Sequence, residues 1–467
     1  MRARLLLLIG LLVPALALTA APAAQAGHED DPRSRNLRPV GHTADNRPVS
    51  SFADPFFTDV AFWGRYAVQG VWMGGFRIID VSSPQRPRVL SEVDCGVFQG
   101  DVGVFGNLVF RSVDAPMRAT TPQETCRNDS LDVLSPSGGF EGIQIFRVRD
   151  RRKASAADLV AAVGTDCGSH THTVVPDLRN NRVLLYVSSS FPGPNYPRSA
   201  SAFGNECAAE HGKFQIVEVP LRHPERARVI RDVPLGPARG QEVSDDCHDI
   251  GVLINRGRRL AGCAGETAVI YDMSNPARPR YLRHFTTRPV TGWHSAAFSW
   301  DGRVTVMSWE PGGGVAPECE ADDPASDKSI YFFETRTGRL LGTWTLPRPQ
   351  SALENCTIHN YSIVPTGRRD VLTVGNYQAG TWVVDFTNPR RPYTVAWSDP
   401  PPANPAALTL AGAWGSYWYR GLIFESNITE GLNIFRLTSR ATAGARWMPF
   451  LNPQTQLGPV RTGFRRH

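Results

Sequence analysis

The chain has 467 residues, and its 50 basic and 44 acidic side chains leave a formal net charge of +6. Spread over such a length, this charge is too small for a nucleic-acid footprint, so no nucleic-acid partner is expected. No segment reaches the roughly 20 apolar residues that a membrane-spanning helix needs, so no membrane span is expected either.

The first residues predict export. Arg2 and Arg4 precede an apolar run over residues 5–18, and Ala24-Gln25-Ala26 has the small-x-small form that signal peptidase accepts. Residues 1–26 are therefore predicted to be a Sec signal peptide, and the mature chain is predicted to be secreted to the extracellular space. Only three of the basic residues are lysine, an arginine bias that favours a bacterial origin.

A short pattern recurs along the rest of the chain. A strand of β-branched and aromatic residues ends in an acidic residue, and a proline turn and a second strand follow. Clear copies occupy residues 75–80, 268–272 and 382–385, and weaker copies occupy residues 142–146, 214–218, 330–334 and 432–435. Proline fixes its own φ and suits an edge strand, where no ladder donor is needed. With two more short strands before each copy, the pattern predicts an all-β, seven-bladed β-propeller of four-stranded antiparallel blades.

Two copies carry a resemblance to a known family. Gly75-Phe-Arg-Ile-Ile-Asp-Val-Ser-Ser-Pro84 and Gly380-Thr-Trp-Val-Val-Asp-Phe-Thr-Asn-Pro389 resemble the LVIVD repeat of bacterial secreted and surface propellers. The resemblance covers nearly the whole mature chain. It implies a β-propeller and extracellular placement, without a defined activity.

The ring needs closing, because an open ring would leave bare strand edges. An orphan strand over residues 37–42 is predicted to complete the blade made by the C-terminal repeat. The predicted organisation is a flexible N-terminal segment (27–35), a single propeller (36–440) and a C-terminal tail (441–467), in a monomer.

Aligning the innermost strands gives one equivalent position in each blade, and those positions hold Asp59, Asp101, His172, His248, His294, His359 and Trp414. Such side chains would form a ring at the mouth of the central channel. Imidazole suits copper, zinc or iron and aspartate adds charge, so the four histidines and two aspartates are candidate metal ligands. The alternative is a polar ring that lines a water-filled channel. Trp293 and Trp414, near the same mouth, are candidates for stacking on a ligand.

Three long insertions, over residues 114–139, 188–211 and 310–328, are expected at the same end. Eight cysteines in an exported chain predict four disulfides. The alternative, a zinc–thiolate site, is not indicated, because the chain contains no Cys-x-x-Cys pair. The expected pairs are Cys95 with Cys126, Cys167 with Cys207, Cys247 with Cys263, and Cys319 with Cys356.

Two functions are compatible with this pattern. The favoured hypothesis is a binding or scaffold protein that presents its disulfide-stapled loop face to an extracellular protein, a polysaccharide or a small ligand. The alternative is a metal-dependent enzyme, an oxidoreductase in one version, that uses the histidines at the channel mouth. No hydrolase, nucleotide-binding or zincin motif is present, so the sequence assigns no catalytic residue.

Overall fold

The computed structural model describes residues 31–49, 54–94, 99–114, 140–189 and 211–458. The chain is all-β, as the repeat pattern predicts. No helix in these ranges is long and apolar enough to cross a membrane. The named helical segments in these ranges are 3-10 turns at Ala154–Ala156, Leu178–Asn180, Pro224–Arg226, Pro311–Gly314 and Arg440–Thr442. Most of the predicted insertions at 114–139 and 188–211 lies outside the described residues.

The strands of the first half are β1 (Leu37–His42), β2 (Phe56–Trp63), β3 (Tyr66–Trp72), β4 (Phe76–Asp80), β5 (Arg88–Val93), β6 (Val102–Phe105), β7 (Leu108–Val113), β8 (Gly142–Val148), β9 (Ala157–Gly164), β10 (Thr171–Asp177), β11 (Arg182–Ser188), β12 (Lys213–Pro220) and β13 (Arg228–Pro234). The strands of the second half are β14 (Ile250–Asn255), β15 (Arg258–Cys263), β16 (Ala268–Asp272), β17 (Arg280–Phe285), β18 (Trp293–Phe298), β19 (Val304–Trp309), β20 (Ser329–Glu334), β21 (Arg339–Thr345), β22 (Asn360–Ile363), β23 (Val371–Gly375), β24 (Thr381–Asp385), β25 (Tyr393–Ser398), β26 (Ala413–Tyr419), β27 (Leu422–Asn427), β28 (Gly431–Leu437), β29 (Phe450–Leu451) and β30 (Thr455–Leu457).

Consecutive strands pair antiparallel in groups of four. The groups are β2–β5, β6–β9, β10–β13, β14–β17, β18–β21 and β22–β25, and β26, β27 and β28 pair in the same way. The first strand of each group lies against the first strand of the next, from β2 through β6, β10, β14, β18 and β22 to β26, and β26 lies against β2. A parallel pairing between β22 and β26 joins their two groups into one larger sheet. We call these strands the first strands.

The acidic residue of each clear repeat begins the turn that follows it. The carboxylate of Asp80 accepts the backbone N–H of Ser82 at 2.9 Å, and Asp272 and Asp385 make the same bond two residues downstream at 2.8 and 2.9 Å. This bond starts the turn from the third strand into the fourth. The motif is thus a turn signal that recurs once in each clear copy.

The hydrophobic core lies between neighbouring groups. Phe332 stacks on Phe386 at 4.9 Å between ring centroids, and Trp344 of β21 lies against Trp382 of β24 at 5.7 Å. Trp293 also lies in this core, where it is 2% exposed and packs edge-on against Phe333 at 5.6 Å. It therefore has no free face for a ligand, which corrects its assignment as a stacking residue.

The strand predicted over residues 37–42 is present as β1. It pairs antiparallel with β28, where Leu37 lies opposite Leu437 and His42 opposite Asn433. The segment before it is also held, since the Ser34 N–H donates to the Trp397 carbonyl at 2.9 Å.

The C-terminal segment is part of the fold, although the sequence predicted only a tail beyond residue 440. β29 pairs with β2, and β30 pairs with β14 in parallel. The Asn452 amide bonds both the N–H and the carbonyl of Val104, at 2.6 and 3.0 Å. The Gln456 amide does the same at Phe298, at 2.8 and 2.7 Å. The segment thereby satisfies backbone groups on the free edges of several first strands, and hydropathy gives no sign of that.

Two of the four predicted disulfides lie within the described residues, and both are present. Cys247 is bonded to Cys263, and Cys319 to Cys356. Cys167 is also disulfide-bonded. Cys95, Cys126 and Cys207 lie outside the described residues.

Candidate metal centre

Three of the four predicted histidines come together where the first strands begin. His248 lies two residues before β14, His294 is the second residue of β18, and His359 directly precedes β22. The ring centroids of His248 and His294 are 4.1 Å apart, and those of His294 and His359 are 4.5 Å apart. We call these three residues the histidine row.

A carboxylate faces the row. Glu310, directly after β19, places Oε2 at 3.4 Å from Nε2 of His294 and Oε1 at 3.5 Å from Nε2 of His359. The Tyr377 hydroxyl donates to the same carboxylate at 2.5 Å. One possible ligand atom from each of His248, His294 and Glu310 lies within 4.8 Å of the other two. A single ion between them would need only small side-chain adjustments to reach bonds of about 2.1 Å.

The other ring nitrogen of each histidine is held from outside the row. Nδ1 of His248 is 3.3 Å from the Asp249 carboxylate, and Nδ1 of His359 bonds the Trp414 carbonyl. Nδ1 of His294 contacts the Ser295 hydroxyl at 2.7 Å. A proton on each Nδ1 leaves the Nε2 lone pair free, which is the arrangement of metal-binding histidines.

Asp249 links this outer layer to the C-terminal segment. Its second oxygen accepts the Ser295 hydroxyl at 2.7 Å and the Gln454 amide at 3.2 Å. Two rings of the row are thus oriented by one buried carboxylate, which the C-terminal segment in turn holds in place.

The pKa shifts favour neutral imidazole at two of the three rings of the row. Burial lowers the pKa of His294 well below its usual value, and the charges of the neighbouring histidines lower it further. Burial also lowers the pKa of His359, against the opposing charge of Glu310. For His248 burial acts in the same direction, but the hydrogen bond to Asp249 and nearby carboxylates outweigh it, so its pKa is raised. At least two rings are therefore in the unprotonated form that a metal needs.

The row opens onto a cavity of about 370 Å³. Besides the row, its walls include Trp72, Gln99, Asp101, Glu310, Tyr377 and Trp414. Three buried polar atoms on these walls have no hydrogen-bond partner among the described residues: Gln99 Oε1, Asp101 Oδ1 and Trp414 Nε1. A wall with such atoms is suited to a polar ligand, because each unpaired buried group costs free energy.

The fourth predicted histidine lies elsewhere. Nδ1 of His172 contacts the Ser112 hydroxyl at 2.8 Å, and its Nε2 lies 2.9 Å from where a Cβ on Gly103 would be. Its ring thus covers a glycine of the neighbouring strand β6. Burial lowers the pKa of His172 to about 3. His172 is therefore a packing residue of the core, which corrects its assignment to the metal site.

His170 takes the place predicted for His172. Its ring centroid lies 4.4 Å from that of His248, so it continues the row by one member. Its Nδ1 contacts Asp114 at 2.8 Å and the Gln99 amide at 3.2 Å. The predicted ring position lies two residues further along the chain than the observed one. Residues two apart on a strand point to the same face, so His170 and His172 differ only in their position along it.

The two predicted aspartates lie beside the row. Asp59 accepts the Asn360 amide at 3.1 Å and the Tyr417 hydroxyl, and burial raises its pKa to about 7. Asp101 lines the cavity, and burial together with the charges of Asp59 and Asp249 raises its pKa well above the usual value. Neither belongs to a ligand group with Glu310. The predicted Trp414 also lines the cavity, edge-on to His359 with centroids 4.7 Å apart.

Sequence reasoning missed Glu310, Tyr377 and His170. Glu310 is the first residue of a predicted insertion, and no other feature of the sequence pointed to it.

A second group of possible ligands consists of Asp166, Cys167 and His211. Cys167 is disulfide-bonded, so it offers no thiolate there.

No family model and no curated protein matches this chain. Among solved structures, a crystal structure of the computationally designed Ika8 protein is similar to it, with a TM-score of 0.42 and 10% sequence identity. The match covers 86% of this chain and 99% of that chain. The functional argument therefore rests on the residues of the site.

Proposed function

We propose that the chain is a secreted seven-bladed β-propeller of the LVIVD-repeat type. Six groups of four strands, and a seventh of β26, β27, β28 and β1, supply the blades. The cyclic order of the first strands and the Asp-led turn of the repeat support this architecture. In it β1 closes the ring, and the histidine row lies at one mouth of the central channel.

Removing the closing strand is expected to destabilise the ring. A mature variant that lacks residues 27–42 loses the β1 pairing and the buried Leu37, which is 1% exposed, and leaves β28 as a bare edge. We expect a loss of about 3–6 kcal/mol, from several backbone hydrogen bonds and one apolar side chain. Thermal unfolding measures it against a variant that lacks only residues 27–30. Equal melting temperatures for the two variants would contradict closure by β1.

For the site, we propose a transition-metal centre with His248, His294 and Glu310 as ligands, beside His359, whose Nε2 lies 3.5 Å from the Glu310 carboxylate. The observation that carries this proposal is the approach of one carboxylate to two imidazole Nε2 atoms whose Nδ1 atoms are already engaged. Imidazole with a carboxylate suits zinc, iron or copper. A scaffold role alone gives no reason to bury these rings together, so we favour the metal centre over the scaffold role.

The cavity indicates what such a centre would do. Its volume of about 370 Å³ falls within the range of small-molecule sites. A ligand held there would share the cavity with the histidine row, Asp101 and Trp414, which all line it. Asp101, whose carboxyl pKa is raised well above its usual value by burial and by the charges of Asp59 and Asp249, lies at the cavity wall. We therefore propose a metal-dependent enzyme that acts on a small polar molecule, with Asp101 as its proton donor.

Metal reconstitution tests this proposal directly. The mature protein, purified without an affinity tag, is stripped with a chelator and incubated separately with Zn²⁺, Cu²⁺ and, without oxygen, Fe²⁺. Elemental analysis after gel filtration is expected to find about one ion per chain for at least one metal, as a single ligand set requires. If none of the three metals stays with the protein, the metal centre is wrong and the scaffold role takes its place.

A further inference from the structure

A second cavity, also of about 370 Å³, lies where the first strands end. Its walls come from the β14–β15 turn, the β18–β19 turn, the β22–β23 loop and Arg446 of the C-terminal segment. The whole of β14 separates it from His248, about 20 Å at 3.3 Å per residue. The two cavities are therefore independent sites.

Arginine dominates this second cavity. Six line it: Arg256, Arg258, Arg303, Arg368, Arg369 and Arg446. Two are paired with acids, since Arg303 lies 3.4 Å from Asp301 and Arg369 lies 2.6 Å from Asp385. The other four have no acidic partner in the ranges that the structure describes. Burial and the charge of Arg256 lower the pKa of Arg446, so these two guanidinium groups repel each other.

Arg446 is held in place with an unused donor. Its backbone N–H bonds the Pro365 carbonyl at 2.9 Å, and its guanidinium lies 4.9 Å from the centroid of the Trp300 ring. Its Nε is buried and has no partner among the described residues. Stacking on an aromatic face fixes the plane of a guanidinium and leaves its N–H edge free for an oxyanion.

The cavity also contains two acidic side chains, Asp301 and Asp370. Asp301 is already engaged by Arg303. Burial and the charge of Asp301 raise the pKa of Asp370 to about 6, so this carboxyl group is still mostly ionised at neutral pH. Four unpaired guanidinium groups therefore outweigh the negative charge that remains.

We propose that this cavity binds a tetrahedral oxyanion, the phosphate or sulfate group of a small ester or of a charged saccharide. Guanidinium groups match such anions with paired, charge-assisted hydrogen bonds, and several of them around one cavity define a specific site. Arg256, Arg368 and Arg446 are the principal contacts. The site is separate from the metal centre and needs no metal.

Arg256 allows a test that spares the fold. Arg256 and Gly257 are the two turn residues between β14 and β15, with φ values of 44° and 83°. Asn-Gly is the preferred pair for such a turn, so Arg256→Asn removes the charge and suits the turn better. Arg420 and Gly421 form the same turn between β26 and β27, with φ values of 49° and 83°. Arg420→Asn is the matched control for the turn, because Arg420 does not line the cavity. Arg420 stacks on Trp447 at 4.1 Å, next to Arg446, so thermal unfolding of this variant checks that the C-terminal segment stays in place.

Calorimetric titration with inorganic phosphate, and separately with inorganic sulfate, at low ionic strength measures the site. We expect binding of at least one anion, weakened about tenfold or more by Arg256→Asn and lost in Arg256→Asn combined with Arg446→Gln. Arg420→Asn should bind like the parent. Preference between the two anions identifies the ester. Absence of binding at millimolar anion, or equal weakening by the control, would overturn the proposal.

Discussion

His294→Asn is expected to weaken metal binding by more than about 100-fold, while His172→Asn should change the metal affinity by no more than about twofold. Removing a residue that supports a ligand typically lowers metal affinity by about 10- to 100-fold, and removing a direct ligand should lower it further. Asparagine places its amide near Nδ1, so it can keep the bond to Ser295 while removing Nε2. The substitution therefore deletes the ligand atom and little else.

His172 is a close control for His294. Both are buried in first strands, at 5% and 4% exposure, and both place Nδ1 against a serine hydroxyl, at 2.8 and 2.7 Å. They differ in what Nε2 faces: Glu310 in one case and the backbone of β6 in the other. Loss of stability should therefore be similar in the two variants. Only the metal affinity should separate them.

The affinity is best measured by competition with a chromophoric chelator, using the metal that reconstitution selects. Thermal unfolding of the apoproteins controls for folding. If the two asparagine variants lose affinity equally, the histidine row is not the ligand set. If neither loses affinity, the metal binds elsewhere.

Replacing Cys319 and Cys356 together by alanine is expected to cost about 3–4 kcal/mol of unfolding free energy, a fall of about 4 °C in melting temperature for a chain of this size. The bond spans 37 residues and ties the insertion after β19 to the segment before β22. Glu310 lies at one end of that insertion, and His359 follows Cys356 by three residues. The same variant should therefore bind metal about tenfold more weakly, which is the size of effect expected when a ligand loses a supporting contact.

The Cys247–Cys263 pair provides the comparison. It spans 16 residues and joins β15 to the residues before β14, strands that pair along their whole length without it. Its removal should cost about 3 kcal/mol on the same entropic argument. The metal affinity should change less than in the Cys319 and Cys356 variant, because strand pairing still holds His248. Equal losses of affinity would mean that the longer bridge does not position Glu310.

The secondary structure could be predicted from short sequence patterns. The Asp-led turn, the proline behind it and the alternation of apolar residues are all local features, so strands such as β4, β16 and β24 follow from the sequence. The orphan strand at 37–42 and two disulfide pairs followed from the same strand order. Each depends only on where strands begin and end, and a repeat gives that directly.

The histidine row was partly predictable for the same reason. His248, His294 and His359 share a position relative to the apolar residues of their strands, and equivalent positions on neighbouring first strands lie side by side. His172 failed this rule because a strand repeats every two residues, so His170 and His172 fit the apolar pattern equally well. Only the tertiary packing of β10 against β14 decides between them.

The remaining parts of the site depend on where irregular segments return. Glu310 and Tyr377 lie in the loops that follow β19 and β23, and these loops bring them to the histidine row. The path of a loop cannot be predicted from hydrophobic periodicity. The C-terminal segment carries its amides to the edges of β6 and β18, and its Gln454 to Asp249, by contacts that span much of the chain. The sequence by itself determined the strands, their order and the face that holds the imidazoles. The tertiary structure alone decided which carboxylate faces them and which arginines gather at the far end, because loop closure brings together residues that are distant along the chain.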